Sequence, residues 1–173
     1  KYLVEHEKTY IATIILGKKT DTGDVEGKII EEDSNLRDID KNKLEEVIKS
    51  FLGKQSQIPP MYSAIKVDGK KLYEYAREGK TVELQPREIE IFDINLIEYD
   101  DNEIEFSVRC SKGTYIRTLC EDIAKKLGTI GYMKELQRTS VNQFNIEKSI
   151  LLEELENINV LEKIISIEEI FKD

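Results

Sequence analysis

The chain has 173 residues, with 26 Lys plus Arg against 35 Asp plus Glu and a formal net charge of −9, a length that suits one domain or one and a half. At 39% hydrophobic and 35% charged residues it carries enough apolar side chains for a packed core, which excludes the disordered class. No apolar run approaches the roughly 18 residues of a membrane span, and the opening KYLVEHEKTY lacks the apolar stretch of a secretory signal. A cytoplasmic protein with no membrane partner is therefore expected. Cys110 and Cys120 stand with His6 as the single imidazole, which excludes a Cys/His zinc site and a disulfide framework; both cysteines read as reduced core residues and no metal is expected.

In chain order, residues 9–16, with Tyr10, Ile11, Ile14 and Ile15, predict a buried strand ended by Gly17. The polar turn KKTDTGDVEG follows. Residues 39–52 place Ile39, Leu44, Val47, Ile48, Phe51 and Leu52 near a helical period, which predicts a helix with Asp40 as N-cap and Gly53 as stop. Residues 55–69 contain Pro59 and Pro60 and read as a long ordered loop, since each proline fixes φ and removes a donor. A short helix over 70–77 closed by Gly79, one strand or two over 87–99, and a further strand over 104–110 come next. Residues 114–127 carry Ile116, Leu119, Cys120, Ile123, Ala124 and Leu127 at helical spacing before Gly128. A strand over Gly131–Val141 and one or two acidic helices over 149–171 complete the list. Strands and helices mix without βαβ regularity, so the fold class is α+β, with a mixed, largely antiparallel central sheet flanked by helices.

Charge is distributed unevenly. Residues 88–108 hold 8 acidic residues and no basic one, whereas 54–87 hold 7 basic against 4 acidic and 109–138 hold 7 basic against 3 acidic. A net charge of −9 taken alone argues against a nucleic-acid partner. The two basic islands argue the other way, because they interleave cations with aromatics and glycine. Tyr62, Lys66, Lys70, Lys71, Tyr73, Tyr75 and Arg77 form one, and Lys112, Gly113, Tyr115 and Arg117 the other. Aromatic faces beside cations suit unstacked RNA bases and their phosphates, while a solvated, fluctuating surface charge is the plainer account of either window alone.

Three long runs occur in order: KTYIATIILGKKTDTGDVEG, QIPPMYSAIKVDGKKLYEYAREGK, and CSKGTYIRTLCEDIAKKLG followed by YMKELQRTSV. Together they resemble the tRNA pseudouridine synthase B family. The resemblance implies a pseudouridine synthase fold and the isomerisation of a uridine in the T loop of tRNA, with tRNA, through its T stem-loop, as partner. That reaction breaks the bond from C1′ to N1 and rejoins C1′ to C5 after the base has rotated. It needs a carboxylate nucleophile, a pocket for an extruded base and a group to help remove the C5 proton, and no metal or cofactor.

The family's nucleophilic Asp lies in a G-x-L-D-P-x-A-x-G motif that this sequence does not contain. The chain, which opens at Lys1, therefore reads as the central and C-terminal part of the family's catalytic domain, and the isolated fragment is expected to be inactive. Residues 1–144 would be the central part of that domain, 54–88 an RNA-facing insertion, and 145–173 a C-terminal helical segment completing its packing. The alternative is a non-catalytic RNA-binding or tRNA-folding module.

On the resemblance, Tyr10 lies against the target base; as a strand residue it would otherwise pack in the core. Arg117 pairs with the catalytic Asp as a bidentate fork, against the alternative of a surface ion pair. Asp24 holds that arginine from the other side, or serves only an Asx-type turn. Tyr115 and Leu136 match pocket-wall positions, with core packing as the alternative. Lys66 resembles a basic residue on the insertion that closes over the RNA, and Tyr62, Lys70, Lys71, Arg77 and Lys112 share its basic surroundings, with a solvated loop as the plainer reading.

Overall fold

The structure is a computed structural model and describes residues 7–34, 38–157 and 159–166. Strand β1 (Lys8–Leu16) alternates Ala12, Ile14 and Leu16 toward a buried face, and the short β2 (Lys18–Thr20) turns back as a hairpin with β3 (Ile29–Glu32). Helix α1 (Lys41–Lys49) starts at Asp40, whose carboxylate accepts from the Asn42 and Lys43 amides at 3.0 and 3.1 Å and so satisfies two donors that a helix start leaves open. Strand β4 (Gly53–Gln57) leads into a small hairpin of β5 (Lys66–Val67) and β6 (Lys70–Lys71), then helix α2 (Leu72–Arg77). The long β7 (Arg87–Asp100) folds back on β8 (Glu103–Cys110). Helix α3 (Ile116–Leu127) ends on Gly128 at φ +88°, and β9 (Gly131–Val141) and β10 (Phe144–Asn145) complete the strands.

Six strands form one sheet in the order β10-β9-β1-β8-β7-β4, every neighbouring pair antiparallel. One parallel bridge, Asp24 to Met133, stitches the turn after β2 onto β9. Helices α1 and α3 pack on one side of the sheet. Leu44 and Ile48 of α1 and Leu119, Cys120 and Ile123 of α3 join Ile14, Ile94, Phe106 and Val108 in a single buried cluster. Each such Leu, Ile, Val or Phe side chain contributes about 1.5–3 kcal/mol by leaving water. Lys49 fastens the end of α1 to β7, its Nζ donating to the Ile94 carbonyl at 2.7 Å and to Asn95 Oδ1 at 2.6 Å. At the start of β9, a Cβ on Gly131 would lie 2.8 Å from Ala124 Cβ, so a bare backbone is what lets α3 approach the strand.

Expectations from the sequence change at several points: Lys66–Val67, read as loop, and Lys70–Lys71, read as the start of a helix, pair as the β5–β6 hairpin, and the helix begins at Leu72. Residues 55–57, read as the beginning of a loop, belong to β4. GKQSQ has no apolar alternation because β4 is an edge strand, defined by its ladder with β7 rather than by a buried face. The acidic helices expected over 149–171 are instead short 3₁₀ turns, Leu152–Asn157 and Val160–Lys163, preceded by another at Ile146–Lys148; Ile146–Lys148 and Leu152–Asn157 hold no buried residue, and residues 167–173 lie outside the described residues. Cys110 and Cys120 are free and buried, and burial pushes both thiols up, as befits inert core residues. No helix among the described residues is long and apolar enough to cross a membrane, and no group of His, Cys, Asp and Glu among them is placed to hold a metal ion.

Candidate nucleic-acid-modifying site

The turn after β2 and the first turn of α3 meet at Arg117. Its Nη1 lies 2.9 Å from Asp24 Oδ2 and donates to the Thr22 carbonyl at 2.8 Å, while Nη2 donates to the Tyr62 carbonyl at 3.4 Å. Side-chain exposure is 22% for Arg117 and 19% for Asp24, so this is an inner pair and not a surface one. Asp24 is itself well held. Its Oδ1 accepts from the Thr22 hydroxyl at 2.6 Å and from the Glu26 amide at 3.2 Å, and its carbonyl accepts from the Thr20 hydroxyl at 2.7 Å. The Asx turn and the arginine contact are thus the same feature, one oxygen serving each.

Gly23 makes the approach possible. Its φ is +76°, and a Cβ there would lie 2.9 Å from Glu121 Oε1 and 3.1 Å from Arg117 Cδ. The donor set is not exhausted by these contacts. Arg117 Nε is buried with no hydrogen-bond partner among the described residues, as is Ser63 Oγ beside Tyr62. A guanidinium with one edge engaged and one buried N–H in reserve can take a carboxylate as a second acceptor.

Tyr115, the residue before α3, is gripped through its backbone. Its amide donates to Gln57 Oε1 at 2.8 Å and its carbonyl accepts from Gln57 Nε2 at 3.1 Å. Tyr10 stands on β1 between Val108 of β8 and Arg138 of β9, half-buried against the core cluster. Burial pushes its phenol above the ordinary tyrosine value, with Cys110 adding to the rise and a hydrogen bond from Arg138 opposing it. The β1–β9 ladder is irregular at Thr9/Tyr10 and again at Thr13/Ile14. Leu136, 44% exposed, pairs with Ala12, two residues along β1 from Tyr10.

The basic residues of the insertion are less uniform than their sequence. Lys66 is exposed on β5. Lys70 is ion-paired with Glu78 and lies over the Tyr75 ring at 4.8 Å, and Lys71 and Arg77 both lie over Tyr73 at 5.3 Å. Lys112 is exposed in the turn between β8 and α3. The structure therefore joins Arg117, Asp24 and the Tyr62 backbone directly. It puts Tyr10 and Leu136 near each other on neighbouring strands, and gathers Lys66, Lys70, Lys71 and Arg77 on one small hairpin-helix unit. Gln57, Thr22 and Arg138 were not singled out by charge or aromatic pattern. Gln57 opens the QIPPMYSAIK run, yet a neutral amide leaves no mark in a charge count.

An antiparallel sheet backed by two helices is the fold this chain shares with solved structures. It is similar to a chain in "Crystal Structure of a Cbf5-Nop10-Gar1 Complex", with a TM-score of 0.64 and 26% identity, covering 89% of this chain and 36% of that one. A chain in "Structure of H/ACA RNP bound to a substrate RNA containing 2'-deoxyuridine" shares the fold with a TM-score of 0.61 at 23% identity, covering 90% and 35%. In sequence, residues 1–116 match the family described as "TruB family pseudouridylate synthase (N terminal domain)", and residues 117–169 match "tRNA pseudouridylate synthase B C-terminal domain". The protein named tRNA pseudouridine synthase B in Francisella tularensis subsp. novicida (strain U112) is 47% identical over 96% of this chain and 55% of its own length. That of Francisella philomiragia subsp. philomiragia (strain ATCC 25017) is 44% identical over 100% of this chain and 58% of its own. The chain belongs to the TruB family of pseudouridylate synthases. It spans a little over half the length of these curated relatives.

Proposed function

We propose that this chain supplies the arginine and tyrosine side of the active site of a cytoplasmic tRNA pseudouridine synthase that isomerises a uridine in the T loop. The observation that carries the reading is the state of Arg117, fixed by Asp24 on one edge while its Nε is buried and unpartnered among the described residues. That geometry suits a guanidinium whose remaining N–H holds a nucleophilic carboxylate ionised and oriented. In this reading the carboxylate comes from a segment other than the described residues and attacks the nucleotide, and the C1′–N1 bond breaks; C1′ then rejoins the rotated base at C5 as the carboxylate is released, the C5 proton leaves and N1 takes up a proton. Tyr10 stacks on the uracil and places its hydroxyl near C5. Tyr115 and Leu136 wall the pocket. Lys66, Lys70, Lys71, Arg77 and Lys112, with Tyr62, meet the T stem-loop backbone. Residues 1–144 then form the central part of the catalytic domain, with 54–88 as its RNA-facing insertion, and 145–173 form the C-terminal segment that completes that domain.

The test is tritium release from a T-arm RNA carrying 5-tritiated uridine, using the full-length protein that contains this chain. Release with formation of pseudouridine is expected. A folded full-length protein that binds the RNA and releases no tritium overturns the reading and leaves the RNA-binding module, for which the tyrosine-backed cations of the insertion are the supporting observation.

A further inference from the structure

The insertion leaves the sheet at Gln57 and returns at Arg87, and these two residues are register partners on β4 and β7. Gln57 is 4% exposed, one of few polar side chains buried among the described residues. Its amide makes the two bonds to Tyr115 described above, one given and one received, at 3.1 and 2.8 Å. Tyr115 has an extended backbone, φ −95° and ψ 107°, and its carbonyl also accepts from the Leu119 amide at 3.0 Å to open α3. The Gln57 side chain thus stands in for a neighbouring strand. It pairs with Tyr115 as a backbone peptide would, at a place where β4 has ended.

A carboxamide carries a donor and an acceptor side by side at every ordinary pH, the complement of the N–H and C=O of one extended residue, and Gln57 uses both on Tyr115. A buried amide without partners would cost stability, so its double engagement makes this a defined joint. Two residues beyond Tyr115, Arg117 reaches the Tyr62 carbonyl, so the same stretch, residues 57–62, touches the α3 start twice. We propose that Gln57 is a positioning residue for the reaction: it locks the root of the insertion to the first turn of α3 and thereby sets the stance of Tyr115 and of the Arg117 fork. The proposal rests on the functional reading above for its consequence and on geometry alone for the joint.

The test uses the full-length protein and the variants Gln57→Leu and Gln57→Glu. In Gln57→Leu, the amide resonance of Tyr115 and the Nε–H resonance of Arg117 shift, and Tyr115 loses amide protection, while Ile123 and Ala124 in the buried part of α3 keep theirs. The kcat on T-arm RNA falls by about 10- to 100-fold with KM held within about twofold, the loss expected of a misplaced group that does not itself bind RNA. In Gln57→Glu, the ionised side chain lacks the donor, whereas the protonated form can donate to the Tyr115 carbonyl and accept from its amide. The ratio of variant to unsubstituted kcat therefore rises as pH falls, which a merely space-filling role would not produce. Unmoved Tyr115 and Arg117 signals in Gln57→Leu overturn the proposal, and so does an unchanged kcat. Should Gln57→Leu not fold, a flat pH ratio in Gln57→Glu overturns it. If the unsubstituted protein forms no pseudouridine, the functional reading falls, and the resonance shifts still decide the joint.

Discussion

Arg117 and Asp24 meet at 2.9 Å across 93 positions of sequence, and the same arginine nitrogen also donates to the carbonyl two residues before that aspartate. One turn therefore offers a carboxylate and a carbonyl to a single guanidinium. In Asp24→Ala the cation keeps only backbone acceptors, at a site about four-fifths buried. Removing one partner of a fully buried pair costs roughly 3–5 kcal/mol, and allowing for the residual exposure about 2 kcal/mol is expected, read from urea denaturation of the chain. An unchanged denaturation midpoint would show that the pair contributes only orientation.

Gly23→Ala probes the same junction from the backbone. The left-handed φ of +76° disfavours any Cβ, and the added carbon would press on Glu121 Oε1 and Arg117 Cδ. A loss of about 1–2 kcal/mol is expected from backbone strain before any crowding is counted. Thermal unfolding of the variant measures it, and a stability equal to that of the unsubstituted chain would mean that the turn can reshape freely.

Much of the fold is legible in the sequence because the helix-facing side of the sheet is written in period two and the helices in period 3.6. Ala12, Ile14 and Leu16, and Leu119, Cys120 and Ile123, announce their faces. Edge strand β4 is silent in that language, since Gly53, Lys54, Gln55, Ser56 and Gln57 are placed by backbone bonds to β7. The 3₁₀ turns near the C-terminus misled for the opposite reason: Leu151, Leu152, Leu155 and Leu161 look like a helical stripe, yet all are exposed in the structure. In the site, charge and aromatic pattern found Arg117 and the insertion cations, whereas the Gln57 joint depends on a contact over 58 positions that no local pattern encodes.

Glu121 makes stability depend on pH. Burial raises its carboxyl above the ordinary value, Lys19 opposes that rise, Asp122 adds to it and Arg117 opposes it again. The folded state thus holds the proton more tightly than the unfolded chain. The resulting penalty is absent below the ordinary carboxylate pKa, grows as pH climbs from there through the raised folded value, and is complete above it. Glu121→Gln is expected to melt higher than the unsubstituted chain at neutral pH, with the gap closing near about pH 4. Paired melting curves at the two pH values check this; a gap that widens on acidification would reverse the sign.

Salt dependence separates the insertion cations. Lys66 is exposed on its strand, whereas Lys70 is committed to Glu78 and to the Tyr75 ring. Lys66→Ala is expected to lower the slope of log K against log salt for a T stem-loop by about 1, and Lys70→Ala by less, because the Glu78 partner already offsets its charge. Filter binding over a range of salt gives both slopes. Equal reductions would show that RNA displaces Glu78 from Lys70.

The pairing of Gln57 with Arg87 has a mechanical meaning as well. From the standpoint of the sheet, β4 and β7 are the two arms of an ordinary hairpin, and the insertion with its own small hairpin and helix is merely an overgrown loop between them. A loop that departs and returns on one rung can change shape, or length, without shearing the ladder below it. The part of the molecule rich in tyrosine and lysine can therefore be reshaped while the rung beneath it keeps the register of the sheet.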